Sequence, residues 1–533
     1  MNNPSTCIEP SAKEVFQSKS IWTKMGFVGA LSALVLLDGV NGAMTSSVGR
    51  YLMGTFSAAP DQITWATIVY YVSKLYALLL AARLQERIGQ RKALLGASAV
   101  LVFSTALGAC ISNYSSLLFT MFIQAGAGGM VIAIGQGALL MMFPRRNQTI
   151  VQAFFGLAFV MFPATMAPGY VGAFAYNFDW QDAYFWITLI GLLGLMWLFW
   201  NRDLLSVSTS HVPVPVLKIV FLVTFLTSTV YVLEQGERNR WFECPSIVWA
   251  LLLAAASILG VAFTESDGRP TYLRYGAFRY ANFTFGFGVA LLAGVAFLGG
   301  GSVITGFLTS VLAYPVLYSG RIQLFSAACT TVALLSGGVA LRFTKIPGIL
   351  VIYAGQILFT ISMWELSQAP SNLDSSGLVP WLILRGLALG FQFLPITLMT
   401  LTCLPPADDV AAAGMFNFSR QFGALIGVAW LQTLRENLVD RNQTIFGNAL
   451  SAANPTAIAY LQGAQETLWA HGISALQTPQ AAAALMLQES RNQWASIAFN
   501  GCFQSLSLLF LISFPVVILA HTLTERYLKP AAC

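Results

Sequence analysis

Residues 93–144 read ALLGASAVLVFSTALGACISNYSSLLFTMFIQAGAGGMVIAIGQGALLMMFP, a run without one Asp, Glu, Lys, Arg or His. A helix needs about 20 apolar residues to cross a bilayer's hydrocarbon core, so this run is long enough to cross twice. It divides at Ser112–Asn113–Tyr114–Ser115–Ser116, where short polar side chains favour a turn over a continued helix. Two membrane helices joined by a tight turn are the reading, and they set the scale for the rest of the chain.

Working outward on that scale gives fourteen spans, near 25–46, 63–82, 93–112, 116–143, 149–173, 183–200, 217–234, 246–264, 280–312, 321–342, 346–366, 379–401, 412–434 and 497–521. The expected fold is an all-α membrane protein of 14 transmembrane helices. The composition agrees: 56% of the 533 residues are hydrophobic and 9% charged, against roughly 25% charged in a soluble domain. The first apolar run is too long for a signal-peptide core, so 1–24 is expected to be a cytoplasmic tail. A second tail is expected at 522–533.

The composition also excludes function classes. A net charge of +6 spread along the chain gives no basic patch for nucleic acid. Seven cysteines without CxxC pairing and three distant histidines indicate no metal site and no disulfide framework. There is no GxSxG, no Walker Gly-Lys-Ser/Thr and no paired His, so neither an enzyme nor an ATP-driven pump is expected, and no cofactor. The basic residues do sort by side. With the N-terminus inside, cytoplasmic segments hold 18 of the 28 Lys and Arg and outer segments seven, which obeys the positive-inside rule. Both termini are thus expected in the cytoplasm.

Between spans two and three runs Ala82-Arg-Leu-Gln-Glu-Arg-Ile-Gly-Gln-Arg-Lys92. It resembles the cytoplasmic signature of the major facilitator superfamily, G-x-L-a-D-R-x-G-R-R/K, with Glu86 standing for the Asp and Ala82 for the first Gly. Leu233-Glu-Gln-Gly-Glu-Arg-Asn-Arg-Trp-Phe242 looks like the outer loop of the extra helix pair in fourteen-span drug:proton antiporters of the EmrB/QacA type. Gly414-x-x-Asn417-x-x-Arg420-Gln421-x-Gly423-x-x-x-Gly427 is similar to their thirteenth-span motif. Arg385-Gly386-x-x-x-Gly390 with Pro395 resembles their twelfth span, and Leu37-Asp38 their first. The resemblance implies two six-helix bundles, 25–200 and 280–521, flanking an inserted pair, 217–264. It also implies a long periplasmic loop, 435–496, within which apolar spacing suggests amphipathic helices near 454–471 and 478–493. Glu86, Arg87, Gly89, Arg91 and Lys92 would form a conformational latch at the helix ends.

The departures are equally specific. The family's fourth-span Arg is Met121 here, three residues before Gln124-Ala125. The fifth-span Gly-Pro-x-x-Gly-Gly motif has become Ala167-Pro168-Gly169-Tyr170-Val171-Gly172. Pro163, Pro168 and Gly172 are expected to supply hinge or packing positions there. Gly414, Asn417, Arg420 and Gln421 are expected to pack helices in span thirteen.

A charge near the bilayer centre costs a few kcal/mol unless it faces a cavity or a partner. Asp38 would lie roughly 12 Å below the outer end of span one and Lys74 roughly 16 Å below that of span two, so the two can meet. Asp38 is the expected proton-coupling residue, and Lys74 its partner in place of the missing Arg. Asn41 shares the face of Asp38, and with Gln124, Arg385 and Gln392 is assigned to a substrate cavity near midplane.

The expected function is a proton-coupled exporter of a small amphipathic or aromatic compound from a bacterial inner membrane, working by alternating access. A membrane-fusion protein in the periplasm is the partner implied by the resemblance. An uptake carrier or uniporter of the same fold is the alternative, and a non-transporting membrane scaffold a more remote one.

Overall fold

The computed structural model describes residues 16, 18–159, 167–207, 209, 216–266, 273–343, 347–402, 404–449, 454–474 and 477–527. Helices α1 (Ile21–Phe56), α2 (Pro60–Ile88), α3 (Gln90–Gly108) and α4 (Tyr114–Met142) come first. The turn expected inside the uncharged run is present: Asn113 caps α4, its Oδ1 accepting from the Ser116 N–H at 2.8 Å. Span five comes as α5 (Arg145–Gly156) and α6 (Ala167–Asn177), followed by α7 (Asp182–Trp200). Pro163 lies outside the described residues, and Pro168 stands in the first turn of α6. Then follow α8 (Val216–Gln235), α9 (Pro245–Ser266), α10 (Ala281–Val311) and α11 (Val316–Phe343). The chain continues through α12 (Gly348–Leu366), α13 (Ser375–Leu401), α14 (Asp409–Ala449), α15 (Pro455–Ala470) and α16 (Thr478–Tyr527).

Twelve helices among the described residues are long and apolar enough to cross a membrane. The other two expected spans are the α5–α6 pair and α14, whose apolar run is interrupted by Asn417, Ser419, Arg420 and Gln421. Polar side chains turned inward, as shown below, make α14 a poor span by composition and a good one by position.

Helices α1–α7 pack among themselves, with α2 on α4 and α1 on α7 as main contacts. Helices α10–α14 and α16 form the second bundle, with α11 and α12 on α13 and α10 on α14. The bundles meet where α2 and α4 face α14, and where α5 and α6 face α11. Helices α8 and α9 pack on each other and reach the bundles through α2 and α14. Leu222, Leu226 and Val230 of α8 share a buried cluster with Ile68 and Leu75 of α2 and Leu425 of α14. The inserted pair therefore covers one of the two lateral seams between bundles and leaves the α5–α11 seam to lipid. Trp249, Leu252, Leu259 and Phe263 of α9 are exposed, as a lipid-facing surface requires.

Close crossings use glycine. A Cβ at Gly414 of α14 would overlap the Leu78 carbonyl oxygen of α2. At the other end of the molecule a Cβ on Gly320 of α11 would come within 2.6 Å of Gly169 Cα in α6. The two bundles thus touch backbone to backbone near both membrane faces.

The described residues of the segment 435–496 are mostly helical, with helices beginning close to the two expected near 454–471 and 478–493. Helix α14 runs on to Ala449, α15 occupies 455–470, and α16 runs unbroken from Thr478 through the last span to Tyr527. The expected break near 493–497 is absent because nothing there stops a helix: after Pro479 the next proline is Pro515 and the first glycine Gly501.

Candidate functional site

Asp38 of α1 and Lys74 of α2 meet inside the first bundle, Lys74 Nζ standing 2.7 Å from Asp38 Oδ2. They are 1% and 4% exposed. Tyr70, one turn before Lys74 on the same face of α2, completes the group. Lys74 Nζ donates to the Tyr70 hydroxyl at 3.0 Å, and that hydroxyl lies 3.2 Å from the Asp38 carbonyl and 3.3 Å from Asp38 Oδ1. The third wall is α4, where a Cβ at Gly128 would overlap Asp38 Oδ1 and one at Gly129 would lie 2.9 Å from the Lys74 carbonyl oxygen. The run Gly126–Gly129 therefore has a geometric cause: it lets α4 close over an ion pair. Tyr70 did not stand out in the sequence, although its i, i+4 spacing to Lys74 was visible there; Gly128 was legible as a packing glycine but not as the lid of the pair.

Chemically, Asp38 is a carboxylate held by one ammonium and one phenol in a buried site. Removing one partner from such a pair costs about 3–5 kcal/mol, because the other charge is stranded. A proton delivered to Asp38 would strand Lys74 in the same way, so protonation has a structural consequence here.

The other expected cavity residues are dispersed. Asn41 donates from Nδ2 to Thr105 Oγ1 of α3 at 2.8 Å, and Gln124 donates from Nε2 to the Ser104 carbonyl of α3 at 3.0 Å. Both face α3, and among the described residues Asn41 Oδ1 and Gln124 Oε1 have no hydrogen-bond partner. Arg385 and Gln392 are buried in the second bundle on α13. None of the four lines the apolar cavity of about 1170 Å³ that opens between α1, α5 and α11, with Phe154 and Leu157 on one wall and Thr331 and Arg342 on the other. This cavity lies along the seam that the inserted pair leaves uncovered.

A chain of amides joins the bundles one turn along α14 from Gly414. Asn417 of α14 donates from Nδ2 to Gln136 Oε1 of α4 at 2.6 Å, and Gln136 donates to Gln152 Oε1 of α5 at 3.0 Å. Gln148 of α5 caps the end of α4 by donating to the carbonyls of Leu139, Leu140 and Phe143 at 2.9–3.0 Å. Arg420, one turn beyond Asn417, donates to Asn417 Oδ1 at 2.6 Å. Gln421 is half-buried beside it and makes no hydrogen bond to this chain of amides. Gly423 and Gly427 turn the other way, onto Leu291 and Val295 of α10. The thirteenth-span motif is therefore an interface: Gly414 and Asn417 toward the first bundle, the later glycines toward α10. The glutamines Gln136, Gln148 and Gln152 carried no motif and were not legible as partners.

At the face where α1 begins, some of the residues expected to form a latch make ion pairs and others do not. Glu86 at the end of α2 pairs with Arg83 at 2.9 Å and with Arg274 Nε, just before α10, at 2.9 Å. Arg274 also lies 3.8 Å from Asp408 and donates to the Ala407 carbonyl at 2.5 Å, at the start of α14. Glu86 thus ties α2 to the second bundle. Gly89 adopts φ +86° between α2 and α3, a conformation open to glycine and strained for β-branched residues. Arg91 pairs with Asp203 at 3.3 Å, within the first bundle. Arg87 and Lys92 are exposed and form no ion pair among the described residues, so they take no part in the bridge. Only one face of the last turn of α2 meets Arg274, and Arg87 is exposed outside it, while Lys92 belongs to the first turn of α3.

Comparison with known proteins is consistent with this geometry. The chain is 22% identical over 487 residues to the multidrug export protein EmrB of Escherichia coli K12, covering 91% of this chain and 92% of that one. It is 24% identical over 419 residues to the probable multidrug resistance protein EmrY of the same strain, covering 77% and 80%. Among solved structures it resembles the human organic anion transporter MFSD10, with a TM-score of 0.56 at 12% identity, over 96% of this chain and 100% of that chain; this likeness shows the fold alone. The profile of the Major Facilitator Superfamily matches residues 31–428. With that match, two bundles meeting through glycine crossings and a cytoplasmic-type signature between α2 and α3, the chain belongs to the Major Facilitator Superfamily.

Proposed function

We propose that the protein is a proton-coupled exporter of small amphipathic compounds, seated in a bacterial inner membrane with both termini in the cytoplasm. The observation that carries the reading is the buried pair of Asp38 on α1 and Lys74 on α2, because α2 also makes the Leu78–Gly414 crossing and the Glu86–Arg274 bridge to the second bundle. Lys74 is one turn from Leu78, which touches Gly414 of α14, and twelve residues from Glu86, which holds Arg274. At 1.5 Å per residue, Lys74 and Glu86 are about 18 Å apart on one rigid rod. A proton arriving on Asp38 frees Lys74, the α1–α2 contact loosens, and α2 shifts against α14. The Gly414 crossing and the Glu86–Arg274 bridge then open together, and the bundles rock about the substrate between them. Export is favoured over uptake by the relatives described as export and resistance proteins.

The test is transport of an amphipathic dye by the purified protein in liposomes under an imposed pH gradient. Accumulation against the dye gradient, abolished by a protonophore, is expected. Equilibration indifferent to the pH gradient would mean a uniporter, and no movement at all would mean a scaffold.

A periplasmic membrane-fusion partner belongs to the same proposal. Ile458, Tyr460, Trp469 and Leu487, on α15 and the first third of α16, are exposed beyond the expected membrane zone. Apolar surface in water favours a covering partner. Trp469→Glu with Leu487→Glu is expected to leave transport in liposomes unchanged and to weaken drug resistance of whole cells several-fold. Unchanged resistance would remove the partner.

A further inference from the structure

Two guanidiniums are buried in the second bundle without a carboxylate. Arg420 is 6% exposed and Arg385 1%, and among the described residues neither forms an ion pair. They flank one aromatic contact. Arg420 lies over Phe393 at 4.8 Å, Phe393 meets Phe297 edge-on at 5.9 Å, and Arg385 reaches the Phe297 carbonyl at 3.4 Å. That carbonyl lies in a π-helical turn of α10 over Val295–Gly299. Arg385 also reaches Ser326 Oγ at a long 3.5 Å, and among the described residues its Nε has no hydrogen-bond partner. Phe416 stands 5.6 Å from Arg420 on its own helix.

The fourth ring comes from the other bundle. Phe159, just beyond α5, covers Arg420 at 4.2 Å, the closest of its three aromatic neighbours. When the bundles part, Phe159 leaves with the first bundle while Phe393, Phe416 and Arg420 stay together in the second. The guanidinium is then uncovered on the cavity side, with a ring-sized place above it and no acid to neutralise it. A buried charge in hydrocarbon is strongly disfavoured unless it is compensated. Arg offers a fork for a carboxylate or sulfonate and a flat face for an aromatic ring.

We propose that Arg420, with Arg385 behind it, is the seat of the transported compound, and that this compound is an aromatic organic anion. Its ring takes the place Phe159 vacates, stacked on the guanidinium between Phe393 and Phe416, and its acidic group takes the guanidinium's free N–H donors. The cluster thereby names the substrate class of the exporter proposed above, and rests on that reading both for the transport step and for the parting of the bundles that uncovers Arg420.

Binding is measured first, by equilibrium dialysis on the full-length protein in lipid nanodiscs with no gradient. The probes are 2-naphthoate, its neutral isostere 2-naphthamide, and 2-naphthylmethylammonium, which share one ring system and differ in charge. The wild type is expected to bind naphthoate at least about tenfold tighter than the amide, the equivalent of about 1.4 kcal/mol, and the ammonium most weakly. Arg420→Gln should erase the preference for naphthoate while leaving amide binding in place, and Arg420→Lys should restore part of it. Phe159→Ala should move the other way, tightening naphthoate by removing the ring that competes for the guanidinium. A purely structural arginine would give equal binding of the three probes, or an Arg420→Gln variant that loses all three equally, and either result would overturn the assignment. Should Arg420→Gln fail to fold, the wild-type ranking and the Phe159→Ala shift decide the matter alone. Selective naphthoate binding without gradient-driven movement in liposomes would support the site and overturn the export reading. Gradient-driven export of the ammonium but not of naphthoate would do the reverse.

Discussion

Asp38→Asn is expected to abolish pH-gradient-driven transport while leaving a protein that still inserts and can be purified. The substitution keeps the shape of the side chain and an oxygen for Lys74 Nζ, now 2.7 Å from Asp38 Oδ2, but removes the charge and the titration. Lys74 is then a buried ammonium held only by a neutral amide and the Tyr70 hydroxyl. Stability should fall by about 3–5 kcal/mol, the cost of leaving one partner of a buried pair uncompensated. Lys74→Met strands the carboxylate instead and should cost a similar amount. The double variant, Asp38→Asn with Lys74→Met, has no stranded charge and should regain most of the stability, since replacing both members of a buried pair is often neutral. Its transport should stay lost. Thermal unfolding in detergent and flux in liposomes, run on all four proteins, separate the two effects. Full proton-driven accumulation in Asp38→Asn would sink the coupling assignment, and a double variant less stable than both singles would mean that the pair is not an independent unit.

Gly414→Val is expected to be the most damaging change at the bundle interface. The first carbon of any side chain there overlaps the Leu78 carbonyl oxygen, and the neighbouring backbone belongs to α2, which is itself pinned by the ion pair. Overpacking against backbone costs about 1–3 kcal/mol because no rotamer change relieves it. In a two-state transporter that cost falls only on the state in which α2 and α14 touch. Gly414→Val should therefore favour the form open at this face, with transport cut by an order of magnitude or more by the population shift. The control is Gly288→Val on α10, where nothing lies within 4 Å of the added carbon, and which should transport normally. The measurement is labelling of Cys introduced at Leu78, which should be protected in the parent and reactive in Gly414→Val. Protection in both, with normal flux, would mean that the crossing is not part of the cycle.

What the sequence by itself determined was the part of this protein that water and lipid decide residue by residue. Every one of the fourteen expected spans has its helix or helix pair, because excluding backbone polar groups from hydrocarbon leaves a helix as the available form. The meeting of Asp38 and Lys74 was legible too, since two charges at matching depth on consecutive antiparallel helices have few other places to go. Gly89 was legible as a turn that needs positive φ. The tertiary structure alone decided which faces meet. Arg87 and Lys92 carry the signature's charges, yet the bridge is made by Glu86 with Arg274, nearly two hundred residues away, because only one face of the last turn of α2 meets the second bundle. Gln136, Gln148 and Gln152 look like ordinary polar interruptions of apolar runs until α4, α5 and α14 are brought together. Asn41, placed by its spacing from Asp38, and Gln124, placed by its position in the fourth span, were assigned to a central cavity and face α3 instead, because depth is fixed by distance along one helix and facing by rotation against its neighbours. Local sequence sets the first through hydrophobicity and rise per residue. Rotation is set by small residues such as Gly128 and Gly414, whose meaning lies in the backbone that presses against them.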